Sequence, residues 1–371
     1  MRKLILLFMG GVILLTFLSC EDCDCPLDEQ TDPEYHLLYS SASSTLDSSI
    51  VLIYSTKTGE AIDTLVYTHR FLDLEFTRDG SQMVIAGHNN YSDGLLWIED
   101  YVTHDTLATF TTSSDLVSNI ELNEDENHLL VRTNVWIKVL AFPSLTEIYS
   151  GSNNSSGCGF LPGSNLFYYV YGDSIFTVDY STPSSPVTTS HYLSLKNINR
   201  QYDYTTSSVS FSDSLIFITG YRSSELGVFQ VLHTTDFSLF YETTLIDRYY
   251  YKAPLCRPNR GDVFLLSARN FATLEEAEYN KLDVYNWRSN TIRTIIGFSD
   301  YILPGLFCPM AMDITPDGNH IFVMLGACLT ERSVISYDLT KHDITNYFVP
   351  VQPLSTGDGT LIKINPFARG G

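Results

Sequence analysis

Apolar and polar positions alternate in short runs along most of the chain, and polar turns separate these runs. The stretch LDLEFTRDG, from Leu72 to Gly80, alternates over six positions and then turns at Asp79-Gly80. Such runs, bounded by Gly, Asp, Asn and Ser, are typical of half-buried β-strands. Long amphipathic helical patterns are almost absent, so the pattern predicts an all-β fold.

One unit recurs along the chain, although its sequence varies. A short alternating run leads to a polar turn, a more apolar run follows, and after a variable loop two further strand-like runs complete the unit. The first turns of six copies lie at Asp79, Asp125, Gly163, Asp213, Gly261 and Asp317, which are 46, 38, 50, 48 and 56 residues apart. A period of this length with four strands per unit predicts the blades of a β-propeller.

The two ends of the chain complete one further unit. Near the start, HLLYSSA, IVLIYSTKTGE and AIDTLVY predict three strands with no first strand before them. Near the end, TLIKINPFARGG predicts a first strand with nothing after it. We therefore predict a seven-bladed propeller spanning residues 35–371, closed by pairing of residues 360–365 with residues 36–42.

The repeated unit resembles the WD40-like and YVTN-like propellers over nearly the whole predicted domain. The resemblance is architectural, because the Gly-His and Trp-Asp dipeptides of WD40 repeats and a Tyr-Val-Thr-Asn run are missing. Trp97, Trp136 and Trp287 lie near predicted third strands but lack the following Asp. Fold resemblance of this kind implies an architecture and no particular function.

The first residues predict an export signal. Arg2 and Lys3 precede an apolar run from Leu4 to Leu18, about fifteen residues, which is short for a helix that spans a bilayer. Leu18-Ser19-Cys20 resembles the lipobox of bacterial lipoproteins, with Phe17 where that family more often has Leu. The alternative is an uncleaved membrane anchor.

The lipobox resemblance implies cleavage before Cys20 and attachment of acyl chains to its sulfur. Residues 1–19 would then be a signal peptide and residues 20–34 an acidic flexible tether that begins with Glu21, Asp22 and Asp24. The resemblance implies a bacterial cell-envelope location through the lipid anchor, at the outer membrane, on either its periplasmic or its external side.

The charge balance limits the partners. The chain has 43 acidic and 22 Lys and Arg residues, a formal net charge of −21, which repels nucleic-acid phosphates. We therefore predict no nucleic-acid partner. The 24 Tyr and 21 Phe residues agree with half-buried sheet.

No catalytic or metal-binding motif is present. The sequence lacks G-x-S-x-G, H-x-H, H-E-x-x-H, a D-x-D-x-D-G calcium loop and a glycine-rich phosphate loop. We therefore predict no catalytic residues, no metal and no cofactor.

Two cysteines are candidates for a disulfide. Cys308 opens the first strand of the last full unit and Cys328 ends its second strand, each about ten residues from the turn at Asp317. Cys158 and Cys256 fall in first strands two units apart, and we expect both to be free thiols in the core.

Basic and aromatic residues concentrate on the segments that join second to third strands and one blade to the next. In a propeller these segments open on one face, and Arg with Tyr is a frequent pair of anchors in recognition. The candidate binding face comprises Arg70, Arg200, Tyr202, Tyr221, Arg222, Arg248, Tyr250, Arg269 and Arg332.

These observations predict a lipid-anchored, non-catalytic recognition module for an unknown protein, peptide or glycan, acting through its loop-rich face. Two alternatives remain. One is an envelope polysaccharide lyase or hydrolase with its site at the mouth of the central channel, and the other is a structural scaffold of an outer-membrane complex. A cluster of ionisable groups with shifted pKa values at one mouth would favour the enzyme.

Overall fold

Short strands with polar turns between them fold here into seven separate sheets. The computed structural model describes residues 33–42, 48–89, 93–113, 115–152, 157–162, 165–171, 174–192, 204–210, 214–221, 226–246, 249–250, 254–257, 261–268, 280–298, 307–327, 332–348 and 361–369. Within these ranges every regular element but one short 3₁₀ turn is a β-strand, and no helix is long and apolar enough to cross a membrane.

Each sheet is one blade, and within a blade consecutive strands are antiparallel. The first three blades in chain order are blade 1 with β1 (Glu34–Ala42), β2 (Ser49–Ser55) and β3 (Ala61–Tyr67), blade 2 with β4 (Arg70–Phe76), β5 (Gln82–Asn89), β6 (Asp93–Asp100) and β7 (Thr106–Thr112), and blade 3 with β8 (Val117–Leu122), β9 (His128–Thr133), β10 (Trp136–Ala141) and β11 (Thr146–Ser152).

The remaining blades repeat this order. They are blade 4 with β12 (Gly157–Phe160), β13 (Leu166–Tyr171), β14 (Ser174–Asp179) and β15 (Val187–Tyr192), blade 5 with β16 (Tyr204–Ser210), β17 (Leu215–Tyr221), β18 (Leu226–His233) and β19 (Leu239–Ile246), blade 6 with β20 (Tyr249–Tyr250), β21 (Leu255–Cys256), β22 (Asp262–Ala268), β23 (Lys281–Asn286) and β24 (Thr291–Gly297), and blade 7 with β25 (Phe307–Ile314), β26 (His320–Ala327), β27 (Arg332–Asp338) and β28 (Asp343–Phe348). In blade 6 the first strand is divided into two short pieces.

The last strand, β29 (Leu361–Arg369), closes the ring. It pairs antiparallel with β1, so that the order in blade 1 is β29-β1-β2-β3. The ladder places Leu37 opposite Ile364 and Tyr39 opposite Ile362. This confirms the predicted pairing of the chain ends and the seven-bladed propeller.

The hydrophobic core lies between the blades. Seven clusters of buried side chains are present, and each joins two blades that are neighbours in the ring. The cluster between blades 1 and 7 packs Leu37, Tyr39 and Ile364 against Phe322 and Met324. Because a four-stranded sheet has two apolar faces, only a closed ring covers both faces of every blade.

The predicted first turns have the expected chemistry. In blade 2, Thr77-Arg78-Asp79-Gly80 turns with Gly80 at φ 68°, and the amide of Gly80 donates to the carbonyl of Thr77 at 2.8 Å. Blade 7 repeats this turn at Thr315–Gly318. The positive φ favours glycine because it has no Cβ. Of the six predicted turn positions, Gly163 and Asp213 lie outside the described residues.

The strands of the propeller run from Glu34 to Arg369. The predicted signal peptide (1–19) and most of the predicted tether (20–34) lie outside the described residues, so these boundaries, and the lipid on Cys20, stay predictions. Cys158 is a buried free thiol, as expected, and Cys256 is half-buried.

The closing strand yields a stability prediction. Ile364 is buried between blades 1 and 7, so Ile364→Ala should lower the free energy of unfolding by about 2–5 kcal/mol. Ile62, exposed on the outer strand β3, is the matched control, and Ile62→Ala should change it by less than about 0.5 kcal/mol. Urea unfolding followed by tryptophan fluorescence measures both. Equal effects of the two changes would contradict the closure.

Candidate functional site

The two ends of the ring carry different connections. Because consecutive strands are antiparallel, the turns after first and third strands lie at one end of each blade. The turns after second strands and the links to the next blade lie at the other, which we call the loop-rich end. First strands of neighbouring blades contact one another around the whole ring and therefore line its axis, and fourth strands form the rim.

Three residues of the predicted binding face have backbone positions at the loop-rich end. Tyr221 ends β17, Tyr250 belongs to β20, directly after the link from blade 5, and Arg332 begins β27. The side chains of these three residues, and the residues Arg200, Tyr202, Arg222, Arg248 and Arg269 as a whole, lie outside what the structure describes. The predicted Arg and Tyr cluster therefore stays a prediction.

Arg70 also has its backbone at the loop-rich end, but it is buried. This residue begins β4, the innermost strand of blade 2, and only 7% of it is exposed. Its carbonyl oxygen packs so closely on Gly87 that a Cβ there would lie 2.3 Å away. The reason is that the link from blade 1 ends before Arg70, so this arginine belongs to the packed start of the strand and not to an exposed loop.

Exposed aromatic side chains do occur at the loop-rich end, in blades 3 and 4. Trp136 begins β10 and is 42% exposed, Tyr171 ends β13 and is 49% exposed, and Tyr192 ends β15 and is 75% exposed. Among the described residues these are three of the four exposed aromatic side chains; the fourth, Phe240, lies on a rim strand. We call these three residues the aromatic set.

The turn that presents Trp136 is held by buried polar groups. The amide of Val135 donates to Asp115 Oδ1 at 3.0 Å, and the hydroxyl of Thr133 donates to Asp115 Oδ2. The amide of Trp136 donates in turn to Thr133 Oγ1 at 2.7 Å. Asp115 belongs to the link from blade 2 to blade 3 and is itself buried. The tryptophan is therefore presented on a preorganised turn, which reduces the entropy lost on binding.

Tyr171 and Tyr192 share one register row of blade 4. Ser174 of β14 pairs with Tyr171 on one side and with Tyr192 on the other. Residues paired across antiparallel strands project from the same face of the sheet. The two tyrosines therefore stand on one face of the blade, about 10 Å apart across Ser174.

A cluster of charged residues lines the axis of the ring. Glu75, Glu121 and Asp313 each lie two residues before the first turn of their blade, Lys363 lies on β29, the first strand of blade 1, and Asp73 lies two residues before Glu75. They come from blades 7, 1, 2 and 3, which are consecutive in the ring. We call these five residues the axial cluster.

Carboxylates of the axial cluster bond to the next blade. Asp313 Oδ2 accepts the amide of Ile364 at 2.6 Å. Asp73 Oδ2 accepts the amide of Ile120 at 2.9 Å, and Glu121 Oε1 accepts the amide of Phe160 at 3.0 Å. In each case the acceptor stands on the first strand of one blade and the donor on the first strand of the following blade.

Lys363 completes the belt between blades 1 and 2. Its Nζ lies 2.8 Å from Glu75 Oε2. The side chains of Lys363 and Glu75 are 28% and 29% exposed, so they border water along the axis. Burial opposes the charge on Lys363, but Glu75, Asp313 and Asp73 outweigh it and raise the pKa of the amine.

Burial raises the pKa of three carboxyl groups of the axial cluster, because it disfavours their charged form. It raises the pKa of Glu121 to about 8 and that of Asp313 to about 6, and it also raises the pKa of Asp73. For Asp73 and Asp313, Lys363 partly offsets this effect. Near neutral pH the cluster therefore holds an ion pair beside a protonated Glu121.

Blade 4 leaves room for Glu121. A Cβ added at Gly159 would lie 3.0 Å from Glu121 Oε2.

Cys158, next to this glycine, is buried among apolar side chains, which raises the pKa of its thiol to about 12. A thiol of this kind is a poor nucleophile near neutral pH. The described residues contain no group of three or more His, Cys, Asp and Glu that could hold a metal ion.

The disulfide prediction rested on register. In the structure Cys308 lies opposite Gly326, because a bulge between Pro309 and Ala311 shifts the pairing of β25 with β26. The residue opposite Cys308 therefore lies two positions before Cys328 in the sequence. The side chain of Cys308 and the whole of Cys328 lie outside the described residues, so the bond itself stays a prediction.

The fold defines a seven-bladed β-propeller of the WD40-like kind. The chain is 13% identical to a functionally unknown protein from Desulfotomaculum acetoxidans DSM 771, with a TM-score of 0.60 over 89% of this chain and 98% of that one. It is 13% identical to the C-terminal WD40 domain of Sif2, with a TM-score of 0.57 over 86% and 84% of the two chains.

A third similar structure is the hydrazine synthase of Kuenenia stuttgartiensis, at 14% identity and a TM-score of 0.54 over 73% of this chain and 77% of that one. At these identities the three structures show a shared fold and nothing about function. No protein-family model matches the chain, and no curated protein matches it.

The axial cluster yields a pH prediction. The pKa of Glu121 is higher in the folded protein than in the unfolded chain, so this group stabilises the fold fully below its ordinary value of 4.5 and loses that contribution as pH rises through about 8. Glu121→Gln stays neutral at every pH, so it does not lose this contribution. The unfolding free energy of the variant minus that of the wild type should therefore be larger at pH 9 than at pH 5 by at least about 1.4 kcal/mol.

Urea unfolding at the two pH values measures this difference. Glu124→Gln, in the exposed turn that follows β8, is the matched control, because it removes a carboxylate outside the axial cluster. A Glu121→Gln variant with the same pH dependence as the control would contradict the assignment.

Proposed function

We propose that the protein is a lipid-anchored β-propeller of the bacterial cell envelope that recognises a polypeptide partner at its loop-rich end. The observation that carries the proposal is the aromatic set, Trp136, Tyr171 and Tyr192, exposed at one end of two neighbouring blades. Trp and Tyr supply large contact areas and are the residues most often found as energetic anchors of interfaces.

The surroundings of Trp136 favour a polypeptide over a glycan. Val135, exposed beside Trp136, adds aliphatic surface that apolar side chains of a protein would cover. The net charge of −21 favours a partner surface that is neutral or basic. The predicted arginines at the same end would add hydrogen-bond donors around the aromatic set.

The axial cluster bears on the alternative that the protein is an enzyme. Its pKa shifts are of the kind found at catalytic sites. However, structural ion-pair networks produce such shifts too, and three of its carboxylates already accept amides of the next blade. We therefore base the proposal on recognition at the loop-rich end.

The proposed anchor has a direct test. In bacteria, Cys20→Ala should prevent both acylation and the cleavage before residue 20, so the variant should keep residues 1–19 and carry no acyl chain. Mass spectrometry of the N-terminal peptide measures both effects. Cys23→Ala, three residues away, is the control and should be cleaved and acylated as the wild type is. A wild-type N-terminal peptide without acyl chains, or one that Cys20→Ala leaves unaltered, would contradict the lipid anchor.

Recognition is tested with the soluble chain from residue 21 immobilised and exposed to envelope proteins. The variant Trp136→Ala, Tyr171→Ala, Tyr192→Ala should weaken capture of the retained protein, each change costing about 2 kcal/mol or more at a central contact. Calorimetry with the purified partner measures the loss. By the same argument, Arg200→Ala, Arg222→Ala, Arg248→Ala should abolish capture without unfolding the domain.

The matched control changes exposed apolar residues elsewhere on the molecule. Val66→Ala, Val102→Ala, Phe240→Ala removes similar surface from the rim and from a third-to-fourth turn and should bind as the wild type does. Unaltered affinity of the aromatic variant would contradict the proposed face. If the chain bound only to sugars on a glycan array, the proposed partner would be a glycan and not a polypeptide.

A further inference from the structure

The fourth strand of each blade is an edge strand, and six of the seven carry the same irregularity. In blades 1, 2, 3, 5, 6 and 7 the pairing of the third with the fourth strand contains a register shift, which lies close to the turn that joins them in all but blade 6, where it lies between Leu282 and Asp283 at the other end of the pair. In blade 4, β14 and β15 pair without a shift, from Ser174 opposite Tyr192 to Asp179 opposite Val187.

The turns explain this difference for the five blades whose bulge lies beside the turn. In the six bulged blades the turn has four or five residues and contains one residue with positive φ, namely Gly59, His104, Leu145, Phe237, Asn290 and His342. Short turns with one left-handed residue characteristically produce a bulge at the strand end. The turn of blade 4 spans residues 180–186, seven residues with no positive φ, and it leaves β15 regular.

β15 also lacks the other common protections of an edge strand. Its sequence VTTSHY contains no charged residue and no proline. Five of the other fourth strands contain a charged residue, Asp63, Glu147, Glu242, Arg293 or Asp343, and the sixth, β7, is uncharged but bulged. Bulges, charges and prolines prevent edge strands from pairing with other chains, so β15 is the one fourth strand among those described that has none of them.

The strand is also accessible. Val187, Thr188, Thr189, Ser190 and Tyr192 are all exposed, and β15 has a described neighbour on one side only. A regular, uncharged and exposed edge can add a further strand through main-chain hydrogen bonds.

We propose that β15 pairs antiparallel with β15 of a second copy of this chain, so that two blade 4 sheets form one sheet across a two-fold axis. The sequence suits this occupant because it complements itself. In the symmetric register with the two-fold axis at Thr189, Thr189 faces itself, Thr188 faces Ser190 and Val187 faces His191. Thr–Thr and Thr–Ser pairs are favourable across antiparallel strands, and no like charges oppose each other.

Charge and area set the strength expected of this dimer. Each copy carries a net charge of −21, so the copies repel at low salt, but at about 0.15 M salt charges more than about 8 Å from the uncharged strand are screened. One six-residue edge buries less than the roughly 1,000 Å² of a stable interface, so the dimer is weak in solution. Confinement on a membrane, which rests on the proposed anchor, would raise the local concentration.

Sedimentation of the soluble chain from residue 21, up to about 1 mM, tests the inference. The wild type should dimerise reversibly, and more tightly at about 0.5 M than at about 0.05 M salt. Ser190→Lys places two like charges beside the axis and should weaken dimerisation at least tenfold. Thr109→Lys, on the uncharged but bulged β7, is the matched control and should dimerise like the wild type.

The melting temperature of each variant establishes that it is folded. If Ser190→Lys does not fold, Thr188→Lys is measured in its place. A wild type that stays monomeric at about 1 mM would overturn the proposal. So would a dimer that Ser190→Lys and Thr188→Lys leave unaltered, or one that weakens as salt rises. None of these outcomes bears on recognition at the loop-rich end, which is measured by capture of a different protein.

Discussion

The pairing of β29 with β1 is the interaction on which the rest of the structure depends. Blade 1 has no first strand of its own until the end of the chain supplies one, and without it the cluster between blades 1 and 7 loses Ile362 and Ile364. Because each blade buries its two faces against two neighbours, an open ring would expose both blades at the break. Closure therefore couples the first and last residues of the domain to the stability of every blade.

Polar contacts reinforce closure on both sides of β29. Asp313 from blade 7 accepts the amide of Ile364, Glu75 from blade 2 pairs with Lys363, and the side chain of Asn365 donates to the carbonyl of Gly80 at 3.2 Å. Four carboxylates around one lysine are electrostatically costly inside a protein. The raised pKa of Glu121 shows how the cost is limited, since a protonated acid carries no charge to be desolvated.

The repeat made the architecture predictable. Alternation, the Thr-x-Asp-Gly turns and the incomplete terminal units were enough to predict seven blades and their closure, because each is a local pattern. The axial cluster was missed although a signal existed: Glu75, Glu121 and Asp313 occupy one position relative to the first turn when the units are superposed. Charge at one repeated position of an inner strand indicates the axis.

Other features depend on register or packing, which residue types alone do not reveal. Arg70 looked like a loop arginine because the end of the link between blades is not marked in the sequence. The bulge between Pro309 and Ala311, beyond which Cys308 lies opposite Gly326, is likewise not marked in the sequence. Trp136 was recognised as a third-strand residue, but its exposure follows from the turn that Asp115 and Thr133 hold.

In a protein built from repeats, the departures from the repeat indicate where it differs from a bare scaffold. Six blades join their last two strands by a short turn with one left-handed residue and carry a bulge in that strand pair, and blade 4 has neither. The aromatic set lies in the same blade and in the one before it. Packing requires only that each blade match its neighbours, and it explains neither an exposed aromatic set nor an unprotected edge. Both features therefore direct the search for function to blades 3 and 4.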